Sequence, residues 1–398
     1  YRTRAQGGVG LIVLEPCFVE PSGEGPFLSL HDDRFIPGLE RFTSAIHACG
    51  VPIGVQLFYP GWQKGASDAR FLPPIPPVAL SIEEIQRLTE AFTCAAVRAR
   101  KAGFDLIEIH AAHGYLLSQF LSPLGNRRGD GYGGGPEGRS RFVMGIIRSV
   151  RGAVGDGMPL SCRINGADHL PGGLALPDAQ KIAPFLERAG LDLLSVSAGA
   201  LGSYPLTVPP YDVPLGCNVL LADGIKKVVR VPVVVAGRIN APDLAEEIIA
   251  SGKADLVAMA RGLVADPDLP NKASAGDTAR IRKCIGCNVC LDSDYEGHIA
   301  CTVNPMAGRD QELAIVAAPR PKRVIVVGAG PAGLEASRIA ALRGHRVTLF
   351  EEEAQIGGQW RLAASPPHKR GFLDLLDWFA AELRRVGVEA RLGEKVAP

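Results

Sequence analysis

Residues 104–115 read FDLIEIHAAHGY. Phe104–His110 is a short apolar run that breaks into polar residues and glycine, the pattern of a buried strand entering a turn. Six similar runs recur at Val9–Leu14, Pro52–Phe58, Pro159–Ile164, Leu191–Ser197, Val231–Ala236 and Ala254–Met259. Helical periodicity fills the gaps between them. Ser81-Ile-Glu-Glu84 forms a capping box ahead of apolar Ile85, Leu88, Phe92, Ala95, Ala96 and Ala99, and Phe142, Val143, Ile146, Ile147 and Val150 mark a second such face. Strands apolar on both faces that alternate with helices predict an α/β fold with a parallel sheet, at the size of a TIM (β/α)8 barrel lacking its first strand. The expectation is that the missing strand lay before Tyr1, leaving an open barrel with two exposed edges.

In such a barrel the chemistry sits on the loops after the strands. One strand ends at Gln56, another at Arg163-Ile164-Asn165, and the last two at Gly237-Arg238 and Arg261-Gly262. Glycine for close backbone approach beside an arginine, on adjacent terminal strands, points to a phosphorylated cofactor, with two surface arginines as the alternative. His110 and His113 are spaced to donate to one ligand oxygen, and Tyr115 adds a donor that stays protonated at neutral pH. A zinc site and two structural histidines remain alternatives. No third ligand stands at an obvious strand end.

Further on, residues 284–301 read CIGCNVCLDSDYEGHIAC. Cys284, Cys287 and Cys290 on one tight loop, with Cys301 following, fit a four-iron cluster. Zinc is the competing reading, although the second arm offers only Cys301, with His298 nearby. Beyond a linker at 309–321, rich in Ala, Pro and Arg, the strand Lys322–Val327 runs into Gly328-Ala-Gly330-Pro-Ala-Gly333. A helix over Ala332–Arg343 and a second strand, Arg346–Phe350, lead to the acid Glu351. This order implies an adenine dinucleotide or ADP group, its pyrophosphate at the helix N-terminus and its ribose on the acid. Gln359 and a helix over Gly371–Val386 follow, and the domain is expected to be incomplete. The division reads as barrel 1–275, cluster segment and connection 276–318, and partial Rossmann-like FAD/NAD(P)-binding domain 319–398.

Composition narrows the partners. A net charge of +1 with interspersed charges gives no basic face for nucleic acid, and apolar runs are strand-sized, with no membrane span or signal peptide. Four of the nine cysteines are clustered and the rest lie singly in apolar surroundings, which suits metal ligands and free thiols in a reducing, cytoplasmic setting.

Taken together, IEIHAAHGYLLSQFLSPLGNRR, YGG, CIGCNVC, VGAGPAGLEA and IGGQ occur in an order that resembles the multidomain Old Yellow Enzyme family of iron–sulfur flavoproteins. Its members include 2,4-dienoyl-CoA reductase, trimethylamine dehydrogenase and NADH:flavin oxidoreductases of bile-acid metabolism. The resemblance implies FMN in the barrel, a 4Fe-4S cluster, and FAD or ADP in the last domain, with NAD(P)H as electron source. By position it implies that Gln56 and Arg163 bond the flavin ring, and that Gly237, Arg238, Arg261 and Gly262 hold its phosphate. His110, His113 and Tyr115 match the substrate-activating group, and Cys284, Cys287, Cys290 and Cys301 the cluster ligands. Gly328, Gly330, Gly333, Glu351 and Gln359 match the nucleotide site. Tyr59 and Trp62 replace a His and an Arg that the family often carries, so the substrate pocket is expected to differ. The implied reaction is reduction of an enone or acyl-CoA thioester. Amine oxidation that passes electrons to a carrier protein, or a non-redox zinc-containing nucleotide module, are the alternatives, and a homo-oligomer is compatible with each.

Overall fold

The computed structural model describes residues 1–21, 28–61, 64–65, 78–295 and 297–396. By internal packing the chain divides into two units, the first built from Tyr1–Pro209, Val213–Ile239 and Asp243–Met259, the second from Pro210–Asp212, Asn240–Pro242 and Ala260–Pro398.

The first unit contains a curled parallel sheet of seven strands: β1 (Ile12–Phe18), β2 (Ile53–Phe58), β3 (Leu106–Ala111), β4 (Leu160–Asn165), β5 (Leu193–Ser197), β6 (Val233–Ala236) and β7 (Leu256–Ala258). They pair strictly in sequence order, as the repeated strand–helix pattern requires, with β1 and β7 outermost. Every residue of β2 and β3 is buried, which is why these strands read as unbroken apolar runs. Gly54 is needed in β2 because a Cβ there would lie 2.8 Å from the Leu106 side chain.

β1 differs from its expected position. It starts three residues later than Val9 and runs on to Phe18, because Pro16, which cannot donate to a ladder, is accommodated at a register shift on this outer strand.

Helices α1 (Ile82–Lys101), α2 (Pro136–Val154) and α3 (Leu176–Arg188) pack outside the sheet. α1 begins as its sequence dictates: Ser81 Oγ accepts from Glu84 N at 3.2 Å, and Glu84 Oε2 accepts from Ser81 N at 2.9 Å. Such a box is worth about 1 kcal/mol. The larger contribution is burial of the apolar stripes of α1 and α2, in which Phe92 and Phe142 respectively are fully enclosed at roughly 2 kcal/mol each. With all strands parallel, their C-terminal ends gather at one face of the sheet.

The second unit holds a parallel sheet of β8 (Arg323–Val327), β9 (Arg346–Glu351) and β10 (Glu389–Leu392), with helices α4 (Pro331–Leu342) and α5 (Asp374–Arg385). The helix expected over Gly371–Val386 begins instead at Asp374. A 3-10 turn over Pro367–Leu373 precedes it, and Asp374 and Asp377 supply its acidic first turn. Its buried face carries Leu375, Leu376, Trp378, Phe379 and Leu383. Trp378 Nε1 donates to the Arg280 carbonyl at 2.8 Å, which ties the segment before the cysteines to α5. Among the described residues no helix is long and apolar enough to cross a membrane.

Candidate functional site at the sheet's C-terminal face

Strand register assembles the site in rows. Gln56, Glu108 and Ser161 are neighbours across β2, β3 and β4, and His110 pairs with Arg163 two residues further along. Glu108 is the hub of the first row: it accepts from Gln56 Nε2 at 2.7 Å and from Ser161 Oγ at 3.0 Å, and its charge supports the Arg163 guanidinium. Arg163 Nη2 donates to Ser197 Oγ at 3.3 Å, but Arg163 Nε is buried without a partner. A buried donor left open in this way costs free energy unless a ligand meets it, so Arg163 fits the role of a contact to a polar ring edge.

The histidines stand in the next row. His110 is buried, and its rings neighbour Phe58, His113 and Tyr115 at 5.4, 5.0 and 5.3 Å. Burial, and then the Arg163 charge, lowers its pKa to about 3. The same causes, with His110 added, hold His113 well below the ordinary histidine value. Both imidazoles are therefore neutral near pH 7. The Ala112 N–H donates to His110 Nδ1 at 3.2 Å, which leaves the ring proton on Nε2. His113 adopts a left-handed backbone at φ 65°, rare for a residue with a side chain, and Asn165 Oδ1 holds it by accepting its N–H at 3.1 Å. Tyr115 packs edge-on against Phe58 at 4.6 Å. Tyr59 packs against the core of this unit, and Trp62 lies outside the described residues.

Gly237 and Arg238 follow β6 in an unusual turn. Gly237 has φ 156° and a Cβ there would come within 2.8 Å of Asn218 Nδ2, while Arg238 is left-handed at φ 49°. A glycine with a strained arginine after a strand suits backbone contact to a phosphate. Arg261 and Gly262 belong to the second unit, in the short helix Ala260–Ala265; Gly262 is buried, and Arg261 Nη1 donates to Asn288 Oδ1 at 2.5 Å.

In the second unit the four cysteines are half-buried. Burial, then the nearby Cys284 and Cys301, pushes the Cys290 thiol up to about 11, and burial raises Cys301 as well. The thiols thus share one electrostatic neighbourhood, yet among the described residues no three His, Cys, Asp or Glu side chains converge as one ion would require. Four thiolates are the donor set that a polynuclear iron–sulfur cluster takes, one per iron at its corners. Cys284 Sγ accepts from the Gly286 N–H at 3.4 Å, Cys287 Sγ lies 3.1 Å from Thr302 Oγ1, and Asn288 between Cys287 and Cys290 is left-handed at φ 63°.

The glycine loop after β8 has the geometry of a phosphate cradle. Gly328 has φ 95°, a Cβ on Gly330 would meet open space, and a Cβ on Gly333 would sit 1.9 Å from the Gly328 carbonyl oxygen. Only glycine allows the helix to approach the strand that closely, and the open face at Gly330 is where a pyrophosphate would come in. Glu351 closes β9 and accepts from the Ala329 N–H at 2.6 Å, and backbone donors hold its carboxyl below the usual range. Gln359 opens a short helix behind Gly357 and Gly358, and the Gly357 N–H donates to the Ala329 carbonyl at 2.7 Å. Beside this loop runs a groove of about 530 Å³ lined by Thr302, Pro331, Glu335, Trp360 and Phe379 among others.

The family model for the NADH:flavin oxidoreductases and NADH oxidases matches residues 1–279. The chain belongs to that family. A model for NAD(P)-binding Rossmann-like domains matches residues 326–375. Among its relatives, a metal reductase of Desulforamulus reducens is 44% identical, over 100% of this chain and 62% of its own length. A solved 2-naphthoyl-CoA reductase has a TM-score of 0.92 at 32% identity, covering 99% of this chain and 64% of that one. Histamine dehydrogenase from Rhizobium sp. 4-9 has a TM-score of 0.90 at 31% identity, with 99% and 61% covered. The chain thus spans under two thirds of the length of these relatives.

Three residues of the barrel site escaped the sequence reading: Glu108, Asn165 as a holder of His113, and Ser197. Glu108 had a signal, a carboxylate inside an otherwise apolar strand. Ser197 had little, since a serine ending a strand is common.

Proposed function

We propose that the protein reduces an activated C=C bond, of the enone or acyl-CoA thioester type, with electrons from NAD(P)H. In this reading Gln56 and Arg163 hold an FMN ring, Gly237 and Arg238 its phosphate, the four cysteines a 4Fe-4S cluster, and the Gly328–Gly333 loop with Glu351 an FAD or ADP. The chemistry supplied by these groups when bound is hydride donation to the β-carbon by FMN and electron relay from NAD(P)H by FAD and the cluster. The chain's own residues do the rest. His110 and His113, neutral and side by side, donate to the carbonyl oxygen and stabilise the negative charge that builds there. Tyr115, whose ring lies 5.3 Å from His110, hands a proton to the α-carbon. Phe58 and the packed rings around it keep water away.

The neutral histidine pair carries this reading. Replacing His113→Ala should lower enone turnover about a hundredfold with flavin still bound. Unchanged turnover removes the residue from the mechanism and the reading with it.

Amine oxidation is the second reading, favoured by the likeness to histamine dehydrogenase and by the aromatic wall of Phe58 and Tyr115. Against it, the charge felt by both histidines is the Arg163 cation, which repels an ammonium group and attracts a developing oxyanion.

A further inference from the structure

His110 and His113 differ in what their ring nitrogens meet. His110 Nδ1 accepts from the Ala112 backbone, so its proton is on Nε2. For His113 it is Nε2 that is engaged, 2.8 Å from Ser197 Oγ. The same oxygen lies 3.3 Å from Arg163 Nη2. A guanidinium can only donate, so Ser197 Oγ accepts from Arg163. Its own proton then needs an acceptor, and among the described residues His113 Nε2 is the one within reach. Were Nε2 protonated instead, the hydroxyl would receive two donors and its own buried proton would go unpaired, which is unfavourable.

We propose that Ser197 is a positioning residue that fixes His113 as the Nδ1–H tautomer, opposite to His110, so that the pair offers Nε2–H from one ring and Nδ1–H from the other. The backbone cooperates. Asn165 Oδ1 holds the left-handed His113 N–H, and Asn165 is itself locked by donating from Nδ2 to Asp168 Oδ1 and to the Gly199 carbonyl, each at 2.8 Å. With the main chain fixed and Nε2 tethered to β5, the ring meets its 5.0 Å neighbour at an interplanar angle of 88°. Each ring then has one donor nitrogen with no protein partner among the described residues. The use of the two donors rests on the C=C reduction proposed above, whereas the tautomer does not.

The test is nitrogen NMR of the flavin-loaded protein labelled with [15N]histidine, read through the couplings of ring nitrogens to carbon-bound protons. The expected result is a neutral His113 with its proton on Nδ1 at pH 7. Ser197→Ala should move that proton to Nε2, the form free imidazole side chains favour, and lower kcat/KM for an enone by about tenfold. Ser197→Thr, which keeps the hydroxyl, should restore both. An Nε2–H signal for His113 in the unaltered protein, or one that stays on Nδ1 in Ser197→Ala, overturns the proposal. The unaltered protein decides even if Ser197→Ala fails to fold. A tautomer that moves without any change in turnover supports the assignment of Ser197 and sinks instead the reduction of an enone at this pair.

Discussion

Two sites in this protein begin from the same spacing and are built in opposite ways. Cys284, Cys287 and Cys290 lie three apart in one short stretch, the first two on a loop and the third in the opening turn of the helix Val289–Tyr295, and Cys301 follows close behind. His110 and His113 also lie three apart, but several of the groups that set their charge and direction come from other strands: Arg163 and Asn165 from β4, Ser197 from β5. The first site can be recognised from a short window of sequence. The second exists only once the sheet has brought β3, β4 and β5 into register.

That contrast can be broken at its strongest point first. Cys290→Ser should remove one corner of the cluster site and take iron from about four per chain to nearly none, while flavin in the barrel stays. Retained iron would mean that Cys290 is not a ligand. A smaller effect is expected at the hub of the barrel rows. Glu108→Ala leaves Arg163 without its carboxylate and Gln56 and Ser161 without their acceptor, and should cost about 2 kcal/mol in urea unfolding. A change within error would show that the row is held by packing alone.

The smallest effect is the pH dependence of the barrel's stability. His110 binds a proton at 6.5 when free and only at about 3 in the fold, so between these values the unfolded chain holds more protons. Stability should therefore fall as pH drops from 7.5 to 6.0, by on the order of 1 kcal/mol, and His110→Phe should flatten that slope. An unchanged slope would assign the acid sensitivity to other groups.

The same contrast explains what the sequence made legible. The parallel sheet was visible because β2 and β3 are buried on both faces and so carry unbroken apolar runs. The capping box of α1 was legible because both of its bonds lie within four residues. Gly333 was legible because a strand, a helix and a glycine at a fixed offset force one geometry, in which a Cβ would strike the Gly328 carbonyl. The shift of β1 was not legible, because a register change around Pro16 depends on its partner strand. Nor was the role of Ser197, whose two partners lie 84 and 34 residues away. Local constraints are written in local sequence, whereas a site assembled across strands shows only its most unusual members, here the two histidines and Arg163.

The central claim is the direction of the chemistry at those histidines. The decisive measurement is anaerobic: the protein is reduced with NAD(P)H or dithionite, mixed with 2-cyclohexenone, and followed by its visible spectrum and by product analysis. Return of the oxidised flavin spectrum with one cyclohexanone formed per flavin is the expected result. No product and no reoxidation, together with bleaching of the oxidised protein by a methylated amine, would contradict it and make this an amine-oxidising member of the family.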